Sequence, residues 1–496
     1  MSTKSYSETF RPQFHYSPKA NWLNDPNGLV WYEGEYHLFY QHHPHSAVWG
    51  PMHWGHAVSK DLVYWEELPI ALWPDHNGAI FSGSAVVDWH DTTGFFNGGS
   101  GLVAIFTHHD TQTPSGVPRQ SQSLAYSTDK GRTWTVYEGN PVLEDERHVD
   151  YRDPKVFWDG ERERWAMVLA AGQRILFYHS PDLIHWSFGS EFGASEGSHD
   201  GVWECPDLFR LPIDGRSGES KWVLIVSIGP NDELAEGSRT QYFVGEYDGV
   251  SFANDNPPET VLWLDHGRDN YAGVTWSDVP PQDGRRLLIG WMNNWKYANL
   301  LPTETWRGAM TLPRELGLAL SEDGVRLRQT PVKELEALRE NEFRIEPTVI
   351  NAGDGNILQD IHGSSLEIEA EIKLAGAPVF GFRIHGSAGQ GTVIGYDASR
   401  SYLFIDRRNA GTSDFHPDFS CEHGADLKPS GDVIKLRIFA DHSSVEVFAG
   451  DGYVALTDQV FPDPEHQELE LYVQEGSIEI IALRVYGLKS IWDCSK

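Results

Sequence analysis

Three carboxylates stand in closely similar settings along this chain. Asp25 lies within Trp22-Leu23-Asn24-Asp25-Pro26-Asn27-Gly28, Asp153 within Arg152-Asp153-Pro154-Lys155, and Glu204 within Trp203-Glu204-Cys205-Pro206-Asp207. An isolated Asn-Asp-Pro-Asn-Gly stretch reads most simply as a turn in which the aspartate caps its own backbone. Here each acid runs into an apolar or aromatic segment, and a second such segment follows: Tyr36 to Tyr40, Trp165 to Leu169 and Trp222 to Val226. One acid per copy, each in the same local position, is more than turn chemistry alone produces. The expected mount is a tight turn at the entrance of a strand. Two carboxylates facing one substrate can cleave a glycosidic bond, one protonating the leaving oxygen while the other attacks or activates water. Asn24 and Asn27 are polar neighbours that keep Asp25 ionised, as a nucleophile must be. Trp203, Cys205 and Pro206 are less polar company for Glu204, where desolvation favours the protonated form that a general acid needs. Arg152 keeps Asp153 charged, suited to holding sugar hydroxyls and stabilising a cationic transition state.

Composition narrows the substrate. The 496 residues carry a net charge of −33, which argues against nucleic acid, anionic membrane or other polyanionic partners. With 19 Trp, 19 Tyr and 23 Phe, the chain has rings for large sheet cores or for stacking on sugars. Cys205, Cys421 and Cys494 are too few and too far apart for a disulfide framework and read as free thiols in a reducing compartment. Residues 1 to 20 lack the apolar core of a signal peptide, and no apolar run is long enough to span a bilayer. A cytoplasmic location is the simplest expectation, with secretion after removal of a leader as the alternative. The oligomeric state is not legible.

The elements that must position the acids are β-strands. From about residue 20 to 320, short β-rich segments alternate with turns and helical periodicity is nearly absent. A turn signature recurs at Ser59-Lys60-Asp61, Ser127-Thr128-Asp129 and Ser180-Pro181-Asp182, with a relative at Tyr247-Asp248-Gly249, each closed by a ring a few residues on. An all-β repeat of this period predicts a propeller of four-stranded blades. Strand starts at Asp25, Phe81-Ser82-Gly83-Ser84, Asp153, Glu204 and Asn270-Tyr271 count five blades. Inner strands run beside the axis of a propeller, so acids far apart in sequence would meet at one mouth. The expected division is a propeller over residues 1–325, a linker with a short helix over 326–345, and a β-sandwich over 346–496, where Leu366 to Ile372 and Val433 to Phe439 alternate apolar with charged residues.

With these motifs in hand, the segments W-L-N-D-P-N-G, F-S-G-S, Y-R-D-P and W-E-C-P-D-L-F, in that order, resemble glycoside hydrolase family 32, the β-fructofuranosidases. The likeness covers nearly the whole chain, including Trp291-Met292-Asn293-Asn294-Trp295 and Ser443 to Phe448. It implies a five-bladed propeller followed by a sandwich and a retaining, cofactor-free and metal-free hydrolysis of terminal β-fructofuranosyl units of sucrose, fructo-oligosaccharides, inulin or levan. Asp25 would be nucleophile, Glu204 acid/base and Asp153 transition-state stabiliser. A fructose pocket of Asn24, Gln41, Trp49, Phe81, Ser82, Arg152, Tyr271 and Trp291 is also implied. Leu23 stands where the family usually has methionine, and Asp25 where endo-acting relatives tend to have glutamate, so exo cleavage is implied. Fructosyl transfer would use the same residues. Cleavage of arabinose-type furanosides and non-catalytic fructan binding are further alternatives. Other side chains have plainer readings: His42, His43, His45, His53 and His56 as hydrogen-bonded histidines rather than metal ligands, Asp269 as a rim hydrogen bonder, Cys205 as packing beside the acid, and residues 291–295 as either core or a rim platform.

Overall fold

The computed structural model describes residues 6–387 and 389–492, so Cys494 lies outside the described residues. Five antiparallel sheets come first, and their innermost strands are Asn21–Tyr32, Ala79–Val87, Tyr151–Asp159, Trp203–Pro212 and Tyr271–Thr275. Each inner strand contacts the next, and the fifth contacts the first, closing a ring. The count of five blades therefore holds. Second strands such as Ser220–Ile228 are continuously apolar over Val223 to Val226 and buried, because neighbouring blades cover both of their faces.

The recurring Ser-x-Asp signature joins the third to the fourth strand of a blade. Ser59 Oγ donates to Asp61 Oδ1, which also accepts the backbone N–H groups of Val63 and Tyr64. Asp129 does the same for Thr133, Asp182 for Ile184 and His185, and Asp248 for Val250 and Ser251. These are side-chain mimics of a backbone turn, and they explain why one short motif marks every blade but the last.

The first blade has a fifth strand. Trp306–Arg307, from the long connection within blade five, pairs parallel to Asn21 and Trp22. The propeller also runs further than expected: Gly324–Pro331 is the fourth strand of blade five, because Gly324 (φ +113°) closes a tight turn that folds the chain back onto Arg314–Ser321. The expected linker of 326–345 shrinks to a 3₁₀ turn, Lys333–Leu338, with Leu335 and Leu338 buried, and Arg339–Ile345 already pairs in the following sheet.

That second unit is a sandwich of a seven-stranded and a five-stranded sheet. Leu366–Leu374 alternates as expected at Ala370, Glu371, Ile372 and Lys373, whereas Glu367 is buried because Arg339 and Arg437 both bond to it. Ionic contacts weld the sandwich to the propeller. His15 lies 2.8 Å from Asp441 and 3.0 Å from Glu446, Arg314 bonds to both Asp265 and Glu446, and Arg407 bonds to Asp269 at 2.6 Å, all with buried side chains.

Candidate active site

Each inner strand carries a β-bulge at the same depth, where two residues oppose one on the neighbouring strand, and the first strand has a second bulge further along, between Asn27 and Val30. Asn24 and Asp25 face Gln41, Phe81 and Ser82 face Thr107, and Asp153 and Pro154 face Leu169. Cys205 and Pro206 face Val226, and Ala272 and Gly273 face Gly290. A bulge bends its strand and re-aims side chains, so five in register turn one end of the ring into a lined cup. Asp153, Cys205 and Ala272 take left-handed φ values of +66°, +46° and +54°, an unfavourable conformation for residues with a Cβ that the ladder on either side holds in place.

The acids are therefore not on turns before strands but inside them. Nor do they share one position: Glu204 precedes its bulge, Asp153 is the first bulged residue of its strand and Asp25 the second. They still converge. Asp153 Oδ2 accepts the Cys205 backbone N–H at 2.9 Å and lies 3.5 Å from Cys205 Sγ, which is 3.6 Å from Asp25 Oδ2. Cys205 thus packs between the two aspartates rather than against Glu204.

Each carboxylate has its own donors. Asn24 Nδ2 donates to Asp25 Oδ1 at 3.0 Å and Ser82 Oγ to Asp25 Oδ2 at 2.7 Å. Arg152 donates to Glu204 Oε1 through Nε and Nη2, at 3.2 and 2.9 Å, while the Tyr271 hydroxyl donates to Glu204 Oε2. The surroundings of Glu204 are thus more polar than its chain neighbours suggest, because Arg152 and Tyr271 arrive from other blades. Asp25 and Asp153 depart from expectation in the opposite sense. Burial and the charge of Glu204 raise the Asp25 carboxyl above its ordinary range, outweighing the bonds from Asn24 and Ser82. Burial pushes Asp153 up to about 7; Arg152 opposes this, while Glu204 and Asp25 add to it. Three carboxylates and one guanidinium in one cup leave excess negative charge, which disfavours ionisation of the buried aspartates.

Residues 15–331 match the model of the Glycosyl hydrolases family 32 N-terminal domain, and residues 334–487 match that of the Glycosyl hydrolases family 32 C terminal. The chain belongs to glycosyl hydrolases family 32. It is 52% identical over 491 residues to a levanase of Bacillus subtilis (strain 168), spanning 98% of this chain and 72% of that one. Against the extracellular exo-inulinase inuE of Aspergillus ficuum the identity is 37%, over 99% of this chain and 96% of the relative. The crystal structure of exo-inulinase from Aspergillus awamori aligns with a TM-score of 0.89 at 35% identity, covering 98% of this chain and all of that one. A five-bladed propeller with a C-terminal sandwich and glycoside hydrolase activity are thereby established for this family 32 chain.

The remaining expected pocket residues divide by depth. Trp49 is 44% exposed beside Phe81, which stacks on His109 with ring centroids 4.3 Å apart. Gln41 is buried and donates to Asn27 Oδ1 at 2.7 Å, behind the Asn24-Asp25 bulge. Trp291 has no exposed surface and packs with Trp22, Trp295 and Tyr271, so it belongs to the core and is not a rim platform. Asp269 is not at the rim either; it is buried against Arg407 and Tyr297 at the sandwich interface. Four of the five histidines are hydrogen-bonded: His42 Nδ1 to the Trp22 carbonyl at 2.7 Å, His43 Nδ1 to Val48, His53 Nδ1 to Pro51, and His56 to His37, while His45 packs edge-on against the rings of His43 and His53.

Four supporting residues carry no separate sign in the sequence. Asp150 and Gln120 accept from Arg152 at 2.5 and 3.3 Å and aim it at Glu204, Thr107 Oγ1 accepts the Asp153 N–H at 3.0 Å, and Asn299 holds the Trp49 backbone at 2.9 Å. Thr107 faces a bulge, so a register for blade two would have singled it out.

Proposed function

We propose that this family 32 enzyme is a retaining exo-β-fructofuranosidase acting on the non-reducing ends of fructans, with levan and inulin as its substrates and sucrose as a short one. The observation that carries this reading is the meeting of Asp25 and Asp153 on either side of Cys205, next to Glu204, with Glu204 alone of the three acids hydrogen-bonded by Arg152 and Tyr271. The levanase and exo-inulinase relatives supply the substrate class.

In the first step an Asp25 oxygen attacks the anomeric carbon of the terminal fructosyl unit while Glu204 gives a proton to the departing oxygen. Ser82 and Asn24 fix the Asp25 carboxylate for in-line approach. Asp153, held by the Cys205 N–H, balances charge as the ring becomes cationic. In the second step Glu204 takes a proton from water, which releases fructose and frees Asp25.

Asp25→Ala and Glu204→Ala should each lower kcat on levan by about a thousandfold or more with circular dichroism unchanged. Turnover within tenfold of wild type would remove the role assigned to that residue. Early products from sucrose, inulin and levan should be fructose, with glucose from sucrose, and no ladder of longer oligosaccharides; such a ladder would point to internal cleavage instead.

A further inference from the structure

A second constellation of nucleophile, base and acid lies in the sandwich, away from the cup. Cys421 directly precedes the strand Glu422–Asp426, which bears His423, and Asp458 stands on Val454–Gln459. His423 Nδ1 is 3.4 Å from Cys421 Sγ, and His423 Nε2 is 2.8 Å from Asp458 Oδ2. Asp458 is fully buried and also lies 3.3 Å from Arg407. An imidazole with a buried carboxylate at one nitrogen and sulfur at the other is the arrangement that activates a cysteine nucleophile. When the ring is charged, both N–H groups donate, and the sulfur accepts as a thiolate.

We propose that Cys421 is a modification site, a thiolate held by His423 and Asp458 that reacts with peroxide. Burial alone would lower the His423 pKa, but Asp458 outweighs it and lifts it to about 9. Burial alone would raise the Cys421 thiol, but His423 and Arg407 outweigh it and bring it below the ordinary range. The charged groups facing the sulfur are His423 and Arg407, with Arg408 further out, against Asp458; Arg408 is itself engaged by Asp406 and Glu422. Among the described residues, Sγ also lies 3.5 Å from the Phe419 carbonyl, the acceptor of its S–H in the neutral thiol. Cys421 keeps some exposed surface, which reaction with a small oxidant requires.

In the reaction the thiolate attacks one peroxide oxygen, the S–O bond forms and the O–O bond breaks. Sulfur gives up two electrons, the attacked oxygen keeps its hydrogen as sulfenic acid, and the other leaves as hydroxide, taking a proton from His423 to become water. Cys205 is the internal control: it is buried between the Asp25 and Asp153 carboxylates, and burial with those charges raises its thiol well above the ordinary range.

The test is iodoacetamide labelling of the folded protein at pH 6.5 and 8.5, read peptide by peptide by mass spectrometry. A thiol of ordinary pKa loses about fiftyfold in rate over that interval. Cys421 should lose less than tenfold; a larger loss, or no labelling at Cys421 at pH 8.5, overturns the proposal. Hydrogen peroxide followed by dimedone should give an adduct at Cys421 that is absent at Cys205 and from Cys421→Ser; no adduct at Cys421 also overturns it. Asp458→Asn should restore the steep pH dependence. If that variant does not fold, the wild-type rate ratio decides without it.

Discussion

Glu204 is gripped at both oxygens, and the grip can be loosened without touching the acid. Tyr271→Phe deletes one hydroxyl and keeps the buried ring, so kcat/KM should fall about tenfold to a hundredfold with Tm nearly unchanged; an unchanged kcat/KM would separate Tyr271 from the chemistry. Asp153 offers a second test. Its carboxyl is raised to about 7, so between the ordinary carboxyl range near 4 and pH 7 the folded state binds more protons than the unfolded one. Stability therefore falls as pH rises through that window, and the cost is fully present above it. Asp153→Asn should melt above wild type at pH 8, with the gap closing as pH falls towards 4; an equal gap at both pH values would assign the effect to packing. The convergence of the three acids was legible from their repeated contexts. Their environments were not, because the partners that matter come from other blades: Tyr271 and Arg152 for Glu204, and Cys205 for both aspartates.

The blade repeat was legible for a physical reason, since the Ser59, Ser127 and Ser180 turns must be built from side chains that can mimic a backbone bond. The bulges were not, because two residues facing one can be seen only once the partner strand is in register. Proline after the acid was read as a turn, yet Pro154 and Pro206 occupy bulge positions, where a missing N–H breaks no ladder bond. The second bulge depends on Gly83. A Cβ there would lie 2.2 Å from the Ile105 carbonyl oxygen and 2.6 Å from the Phe106 Cα, both backbone atoms that cannot step aside. Gly83→Ala should therefore shift Ser82 away from Asp25, lowering Tm by several degrees and activity more than tenfold. Full activity would show that the bulge tolerates displacement.

Between propeller and sandwich, charges that look solvated in the sequence are buried: His15 with Asp441 and Glu446, and Arg407 with Asp269. No local pattern announces pairs drawn from opposite ends of a chain. Burial alone would lower the His15 pKa, but Asp441 and Glu446 outweigh it and lift it to about 9. A histidine raised in the folded state contributes stability that is complete below about pH 6.5 and lost as pH rises through about 9. His15→Gln should thus show a smaller drop in Tm between pH 6.5 and 9.5 than wild type, and an equal drop would place the alkaline sensitivity elsewhere. The pairing of Trp306–Arg307 beside Asn21 and Trp22, with the Asn21 N–H on the Thr305 carbonyl at 2.8 Å, has a bearing on biosynthesis. Within the propeller, the strand that presents Asp25 is made before the other blades, but its seat comes from blade five. On the proposed roles, a nascent chain stalled before Thr305 would hold all three acids without the segment that seats the first of them, so activity should await the final blade.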